Sequence, residues 1–321
     1  MDAYTRQELT KGLTSEPLYI PSWYRYDYEG SRLNDICLTE SKWYYFSRFE
    51  ENLLRATVEE VTRNLTRGVT LVDLGSGNAV KTRLFIDQLL KHNGIQTYIP
   101  VDISLDYLKK TTSEIRHLYG DAFEVEPVGG EYLIALKTIR EFPGQKLILW
   151  FGSLQNLSHR KQIIYLKEIS DTMKCDDRQL ITIDVTDYSK KDIIKKAYLD
   201  PDGYCRNLNC NSIRRINREM NGNIDLSKFV LKNEFIIKTS NNDCSYIQMW
   251  MEALEDCTFT INNLELTLRF QKGDKLFLHE PGGLSCKYTI EQIKYICDEA
   301  SLSITDYWKN EHVMSVLMRK K

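Results

Sequence analysis

Residues 69–82 read VTLVDLGSGNAVKT. A short, mostly apolar run suited to a buried strand stops at Gly75-Ser76-Gly77. AVKTRLFIDQLLKH (79–92) follows, with Leu84, Phe85, Ile86, Leu89 and Leu90 loading one side of a helix. Strand, glycine turn and helix N-terminus in that order make a nucleotide-binding turn. The glycines permit a tight turn and close ligand approach, and the helix start presents unpaired N–H groups. A strand-to-helix turn with no ligand has the same outline, so the motif alone decides little.

Working outward, strand and helix keep alternating. TYIPVDI (97–103) reads as a strand, LDYLKKTTSEIRHLYG (105–120) as a helix and FEVEPVG (123–129) as a third strand. KLILWFG (146–152) is almost wholly apolar, as a strand covered on both faces should be. SHRKQIIYLKEISDTMK (158–174) is helical with Ser158 as its expected N-cap, and QLITIDV (179–185) is a fifth strand. The pattern predicts a doubly wound α/β sheet. It breaks after residue 187, where KKDIIKKAYLD, NSIRRINREM, FVLKNEFIIK, SYIQMWMEAL and LELTLRFQ mix helix and strand. It resumes with the helix TIEQIKYICDEA, followed by LSITDYW (302–308) and HVMSVLMRK (312–320), close enough to form an antiparallel terminal hairpin. The expected division is 1–187 (an N-terminal helical cap plus a Rossmann-like domain), 188–283 (an α+β insertion) and 284–321 (a return to the first domain).

The residues beyond the turn discriminate among ligands. A NAD fingerprint wants a third glycine where Val80 stands, and no phosphate-binding G-x-x-x-x-G-K-[ST] loop is present. Asp102, ending the second strand, is placed to accept from a ribose diol. Glu131 could accept from an adenine amino group, and Lys81 could pair with a carboxylate. Carboxylate, ribose and adenine without a pyrophosphate describe S-adenosylmethionine (SAM) better than NAD. The terminal hairpin also fits the class I SAM-dependent methyltransferase fold.

Composition bounds the rest. A formal net charge of −2 over 321 residues argues against a nucleic-acid binder built on bulk electrostatics. No apolar run approaches the ~20 residues that cross a bilayer, and MDAYTRQELTKGL is too polar for a signal peptide. The eight cysteines form no C-x-x-C pair, and Cys205 and Cys210, the closest two, lack partners for a zinc site. These features predict a cytoplasmic monomer with reduced thiols and a small-molecule substrate, without a nucleic-acid, membrane or metal partner. Two aromatic clusters, YIPSWYRYDY (19–28) and WYYF (43–46), suit either a core or a pocket for a flat or cationic ligand. His159 and His279 read as structural rather than catalytic.

In order along the chain come YDYEGSRLNDI, YYFSRFEENLL, VDLGSGNAVKTR, YIPVDIS, FGSLQNLS, KKAYLDPDGYCRNLN, INREM, IQMWMEA and LSCKYT. With these blocks, nearly the whole chain resembles the histidine-specific, SAM-dependent methyltransferase family. The resemblance implies that Gly75, Ser76, Gly77 and Lys81 hold the methionine part of SAM, Asp102 the ribose and Glu131 the adenine. It implies that Asn156 and Tyr198 hold the substrate carboxylate and amino group and carry the catalytic positioning. Tyr26, Tyr44 and Tyr45 correspond to aromatic positions near the substrate, and Met249 and Ser285 to positions around an imidazole. One departure stands out: the family's imidazole-binding glutamate falls at Gly283, with Glu280 a few residues upstream. The implied activity is N-methylation of the α-amino group of L-histidine or an analogue, to as many as three methyl groups. Another aromatic amino acid or amine is the alternative acceptor. A non-catalytic SAM-binding protein is disfavoured by the joint presence of Lys81, Asp102, Asn156 and Tyr198.

Overall fold

The computed structural model describes residues 3–92 and 94–321. In chain order, α1 (Ala3–Leu13), α2 (Tyr28–Glu40) and α3 (Tyr45–Thr62) precede β1 (Val69–Leu74) and α4 (Val80–His92). Then come β2 (Ile95–Asp102), α5 (Leu105–Tyr119), β3 (Glu124–Val125), β4 (Val128–Gly129) and α6 (Tyr132–Ile139). β5 (Lys146–Phe151), α7 (His159–Thr172) and β6 (Arg178–Asp184) complete the alternation. α8 (Lys191–Tyr198), α9 (Tyr204–Glu219), β7 (Phe229–Ile236), β8 (Ser245–Ala253), β9 (Cys257–Ile261) and β10 (Leu266–Phe270) follow. The chain ends with β11 (Lys275–Phe277), β12 (Leu284–Lys287), α10 (Ile290–Glu299), β13 (Leu302–Lys309) and β14 (Val313–Lys320).

Two compact units emerge, each assembled from three stretches of chain. One comprises Tyr45–Asp187, Lys238–Cys244 and Lys287–Lys321; the other comprises Met1–Tyr44, Tyr188–Ile237 and Ser245–Cys286. The N-terminal segment, read from sequence as a cap on the glycine-loop domain, thus groups with the stretches around the insertion.

The glycine-loop unit is the doubly wound sheet. β2 and β5 flank β1 in parallel, β6 lies parallel beside β5, and β14 pairs antiparallel with β6 and with β13. This is the fold of class I SAM methyltransferases, including the antiparallel terminal hairpin. Every residue of β1 and β5 is buried, which their near-continuous apolar runs require of strands covered on both faces. Leu71, Phe85, Ile86, Tyr98, Ile115, Leu147 and Leu149 share one core, and each such large apolar side chain contributes ~1.5–3 kcal/mol on burial. The expected third strand is two short pieces, β3 and β4, each parallel to β2. Pro127 lies between them and has no N–H to donate to a ladder. Ser158 occupies the N-cap of α7, yet its hydroxyl makes no capping bond. A full capping box does form at α10, where Thr289 and Gln292 bond each other's backbone N–H.

In the other unit, α2 starts where the Asp27 carboxylate accepts from Gly30 N at 2.7 Å. α9 begins at Tyr204, seven residues before the helix read from NSIRRINREM, because Asp200 accepts from the N–H groups of Tyr204 and Cys205. β7 and β11 pair antiparallel with β8, and β9 and β10 form a separate hairpin.

Candidate functional site

The glycine loop is stapled to the end of β2: Gly75 N and Ser76 N donate to Val101 O at 2.8 and 3.0 Å. Gly75 has φ +76°, and a Cβ there would lie 2.9 Å from both Ser153 Oγ and Tyr132 Oη. Glycine is therefore required twice over, for backbone and for space. Gly77 has φ +50° but nothing within 4 Å of a Cβ position. Ser76 Oγ is buried with no hydrogen-bond partner among the described residues. A buried hydroxyl without a partner at a glycine turn calls for a ligand or water to satisfy it.

Asp102 receives the loop from below. Its Oδ2 accepts from Gly77 N at 3.0 Å and its Oδ1 from Ser104 N at 2.9 Å, which fixes both oxygens at the carboxyl end of β2. Asp73, one strand over, anchors the turn from behind by accepting from Thr82 Oγ1 at 2.5 Å and Tyr98 Oη at 3.2 Å. Burial pushes its carboxyl up to about 6 despite those bonds.

Lys81 was expected to offer its ammonium to a ligand carboxylate, but the chain already holds it. Its Nζ pairs with Glu50 Oε2 of α3 at 2.5 Å, and the Glu50 side chain is only 1% exposed. Thr182 Oγ1 donates to the other Glu50 oxygen and accepts from Gly152 N at 3.1 Å. An ammonium has three donors, so the pair aims Lys81 without exhausting it. Glu50 escaped the sequence reading. Its signal is an acidic residue on the buried, mostly apolar stripe Phe46, Leu53, Leu54, Thr57, Val61 of α3.

Glu131 occupies the N-cap position of α6 and makes no side-chain capping bond. Asn156 ends a short 3₁₀ turn, Leu154–Asn156, that follows Ser153 beside the glycine loop. The side chains of Glu131 and Asn156 have no hydrogen-bond partner among the described residues, whereas Gln155 is committed to Asp184 N at 3.2 Å. Tyr45 belongs to this unit as well. It is buried and donates to Asp184 Oδ2 at 2.8 Å, beside the fully buried Lys287 ammonium at 3.0 Å.

The remaining expected residues lie in the other unit. Tyr198, at the end of α8, hydrogen-bonds through its hydroxyl to Ser285 Oγ, both side chains being buried. Ser285 has φ +51°, a left-handed backbone uncommon for a residue with a Cβ. The Tyr44 ring meets the Tyr198 ring edge-on at 5.7 Å. Burial, then the neighbouring Tyr198, raise the Tyr44 phenol well above its ordinary value; Tyr26 adds to the rise. The Tyr44 phenol is therefore a neutral aromatic wall, not a base. Behind them the Cys37 and Cys205 sulfurs sit 2.9 Å apart. Met249 is fully buried, and its N–H donates to His279 Nε2 at 2.9 Å. His279 Nδ1 must then carry the proton donated to Glu280 O at 2.7 Å, which makes the ring neutral. Burial depresses its pKa to about 4.

Gly283 and Glu280 can now be placed. Gly283 has φ +100°, and a Cβ there would overlap the Tyr246 ring and Cβ at 2.2–2.5 Å. The Tyr246 side chain fills the volume that a residue-283 side chain would use. Glu280 is not idle either: its Oε2 accepts from Ser22 N at 3.0 Å.

Comparison with known proteins agrees with this reading of the sheet and turn. A family model described as histidine-specific methyltransferase, SAM-dependent, matches residues 5–320. The chain is 28% identical to a histidine N-alpha-methyltransferase of Mycobacterium tuberculosis over 95% of its length and 91% of the relative's. It is 29% identical to the enzyme of the same name from Mycolicibacterium smegmatis, covering 94% and 90%. It is 21% identical to the N-methyltransferase dtpB of Aspergillus flavus, covering 94% and 84%.

Proposed function

Because this chain belongs to the histidine-specific, SAM-dependent methyltransferase family, we propose that it methylates the α-amino nitrogen of L-histidine or a close analogue. The observation that carries the proposal is the glycine loop with Lys81 paired to the buried Glu50 and with Asp102 fixed, set in a chain similar over nearly its whole length to two histidine N-alpha-methyltransferases. The residues fit SAM: Ser76 Oγ is a buried hydroxyl without a partner among the described residues, Lys81 would hold the methionine carboxylate, Asp102 the ribose and Glu131 the adenine.

SAM supplies an electrophilic methyl group on a sulfonium sulfur. The protein's task is positioning, since an in-line displacement needs its nucleophile held at near-attack distance. The acceptor nitrogen needs a lone pair, and a protonated amine has none. Desolvation disfavours the ammonium form, so an apolar aromatic surround lowers the amine's pKa toward the reactive state. Tyr198, oriented by Ser285, is assigned the amine, and Asn156 the substrate carboxylate. Tyr26 and Tyr44 line the same aromatic cluster as Tyr198, where a methylated ammonium gains cation–π attraction worth ~0.5–2 kcal/mol. That preference for the more methylated product favours successive transfers, up to the betaine. The protein acts in the cytoplasm on a free small molecule.

A second reading keeps the chemistry and changes the acceptor to another aromatic amino acid or amine. Tyr246 against Gly283 favours it, because an aromatic ring replaces a carboxylate where the imidazole would be read. Losing an acceptor for a buried ring N–H costs ~1–3 kcal/mol, enough to change which substrate wins.

Purified protein incubated with SAM and a panel of free amino acids and amines, with products read by mass spectrometry, separates the readings. Histidine gaining up to three methyl groups well above the rest supports the first. An inert histidine beside a methylated aromatic amine overturns it in favour of the second. Tyr198→Phe should lower kcat by about a hundredfold, as misplacement of a reacting group does.

A further inference from the structure

Within the sheet-bearing unit, one cluster of donor atoms takes no part in the methyl-transfer site. His159 opens α7, and Asp243 and Cys244 end the segment Lys238–Cys244. One ligand atom from each, a ring nitrogen, a carboxylate oxygen and a thiol sulfur, lie within 4.8 Å of one another. We propose that these three residues form a binding site for a thiophilic divalent transition ion such as Zn²⁺, which clamps the 238–244 segment onto the start of α7.

The His159 ring is the strongest reason. Neither nitrogen has a hydrogen-bond partner among the described residues, and both are inaccessible to solvent. Two solvent-inaccessible, unsatisfied ring nitrogens cost ~1–3 kcal/mol each unless something binds there. The ring is nonetheless held firmly, stacked on Tyr295 of α10 at 6.0 Å and 16°. The same helix holds the opposing segment, since Gln292 Nε2 donates to Ser240 O at 3.0 Å. Both halves of the cluster are therefore fixed by one element, as the supporting shell of a metal site should be.

The donor chemistry is consistent. Cys244 is fully buried and Asp243 is 40% exposed, so the carboxylate stands at the mouth and the sulfur inside. Asp243 Oδ1 accepts from Cys244 N at 2.8 Å, which fixes the carboxylate beside Cys244. Lys238 lies 3.4 Å from Asp243, but an exposed pair of that kind is worth ~0–1 kcal/mol and yields readily to a dication. Nitrogen, oxygen and sulfur at ~2.0–2.3 Å from one ion require the three atoms to draw in by at most about an ångström. On binding, the Cys244 thiol releases its proton to solvent, and the thiolate and Asp243 neutralise the two positive charges. Water completes the tetrahedron.

The test uses the full chain, stripped with a chelator, dialysed and titrated with Co²⁺. The expected result is one Co²⁺ per chain, with a near-ultraviolet thiolate-to-metal band and tetrahedral visible bands, both displaced by Zn²⁺. Cys244→Ser should abolish the thiolate band. His159→Ala, at a helix start and not fully buried, keeps the fold and should weaken Co²⁺ binding by more than the ~10–100-fold typical of outer-shell changes. Cys175→Ser, at the exposed cysteine, should leave the band unchanged. Absence of a thiolate band at stoichiometric Co²⁺, its survival in His159→Ala, or its loss in Cys175→Ser would each overturn the site. Should Cys244→Ser fail to fold, the His159→Ala arm decides.

Discussion

Two glycine-bearing loops of this molecule use the same backbone freedom for opposite ends. At Gly75-Ser76-Gly77, the turn leaves open space: among the described residues a Cβ on Gly77 would touch nothing, and Ser76 Oγ has no partner. At Pro281-Gly282-Gly283, the freedom serves the protein's own packing, because the Tyr246 ring occupies the place a side chain would take. A positive-φ glycine thus leaves a side chain's volume to something else. Whether that something is a ligand or a neighbouring residue depends on what the fold brings there.

The largest effect expected from breaking this contrast is at Gly283. Gly283→Ala must displace Tyr246 and adopt a φ of +100°, so overpacking of ~1–3 kcal/mol and backbone strain of ~1–3 kcal/mol combine. Chemical denaturation should show the sum. Adding Tyr246→Ala should return the steric part and leave the backbone part; an equal loss in both variants would break the comparison.

His279, beside the same loop, gives a pH signature. Its folded pKa of about 4 lies below the unfolded value of 6.5, so the unfolded chain binds the extra proton between those limits. Its contribution is fully present above about pH 6.5 and is lost as pH falls toward 4, about 3 kcal/mol in all. Asp73, raised to about 6 from 3.8, works in the opposite sense, contributing stability at low pH that is lost as pH rises through 6. The quantity to measure is therefore the difference in unfolding free energy between wild type and His279→Gln across pH 4–7. A flat difference would rule out the buried neutral ring.

At the cofactor loop, Lys81→Met strands the buried Glu50 carboxylate, at a cost of about 3 kcal/mol, and removes a charged partner for SAM worth ~1.5–3 kcal/mol. Calorimetry of SAM binding beside thermal unfolding separates the two. Glu50→Gln in the Lys81→Met background should recover stability but not affinity. The smallest expected effect is Gly77→Ala, which meets only the left-handed backbone penalty of about 1 kcal/mol. A large loss of SAM affinity with little loss of stability would confirm that the space beside Gly77 belongs to the ligand.

Much of the sheet was legible because its signals are local. An apolar run, a glycine turn and a 3.6-residue periodicity each lie within a dozen residues, and the run KLILWF announces two-sided burial by itself. Asp102 and Lys81 were legible for the same reason, each at a fixed offset from the turn. Ser158 shows the limit: the residue type and position suit an N-cap, but its hydroxyl makes no capping bond.

The amino-acid sequence by itself determined the doubly wound sheet, the glycine turn at its centre, the terminal hairpin and the family to which the chain belongs. These depend on patterns carried within single elements or on blocks in order along the chain. Only the tertiary structure decided that Glu50, 31 residues from Lys81, holds its ammonium, that Tyr246 fills the space beside Gly283 and that Ser22 engages Glu280. It alone brought His159 to Asp243 and Cys244. Such pairings join residues distant along the chain, and no local propensity encodes which side chain a folded backbone will set against another.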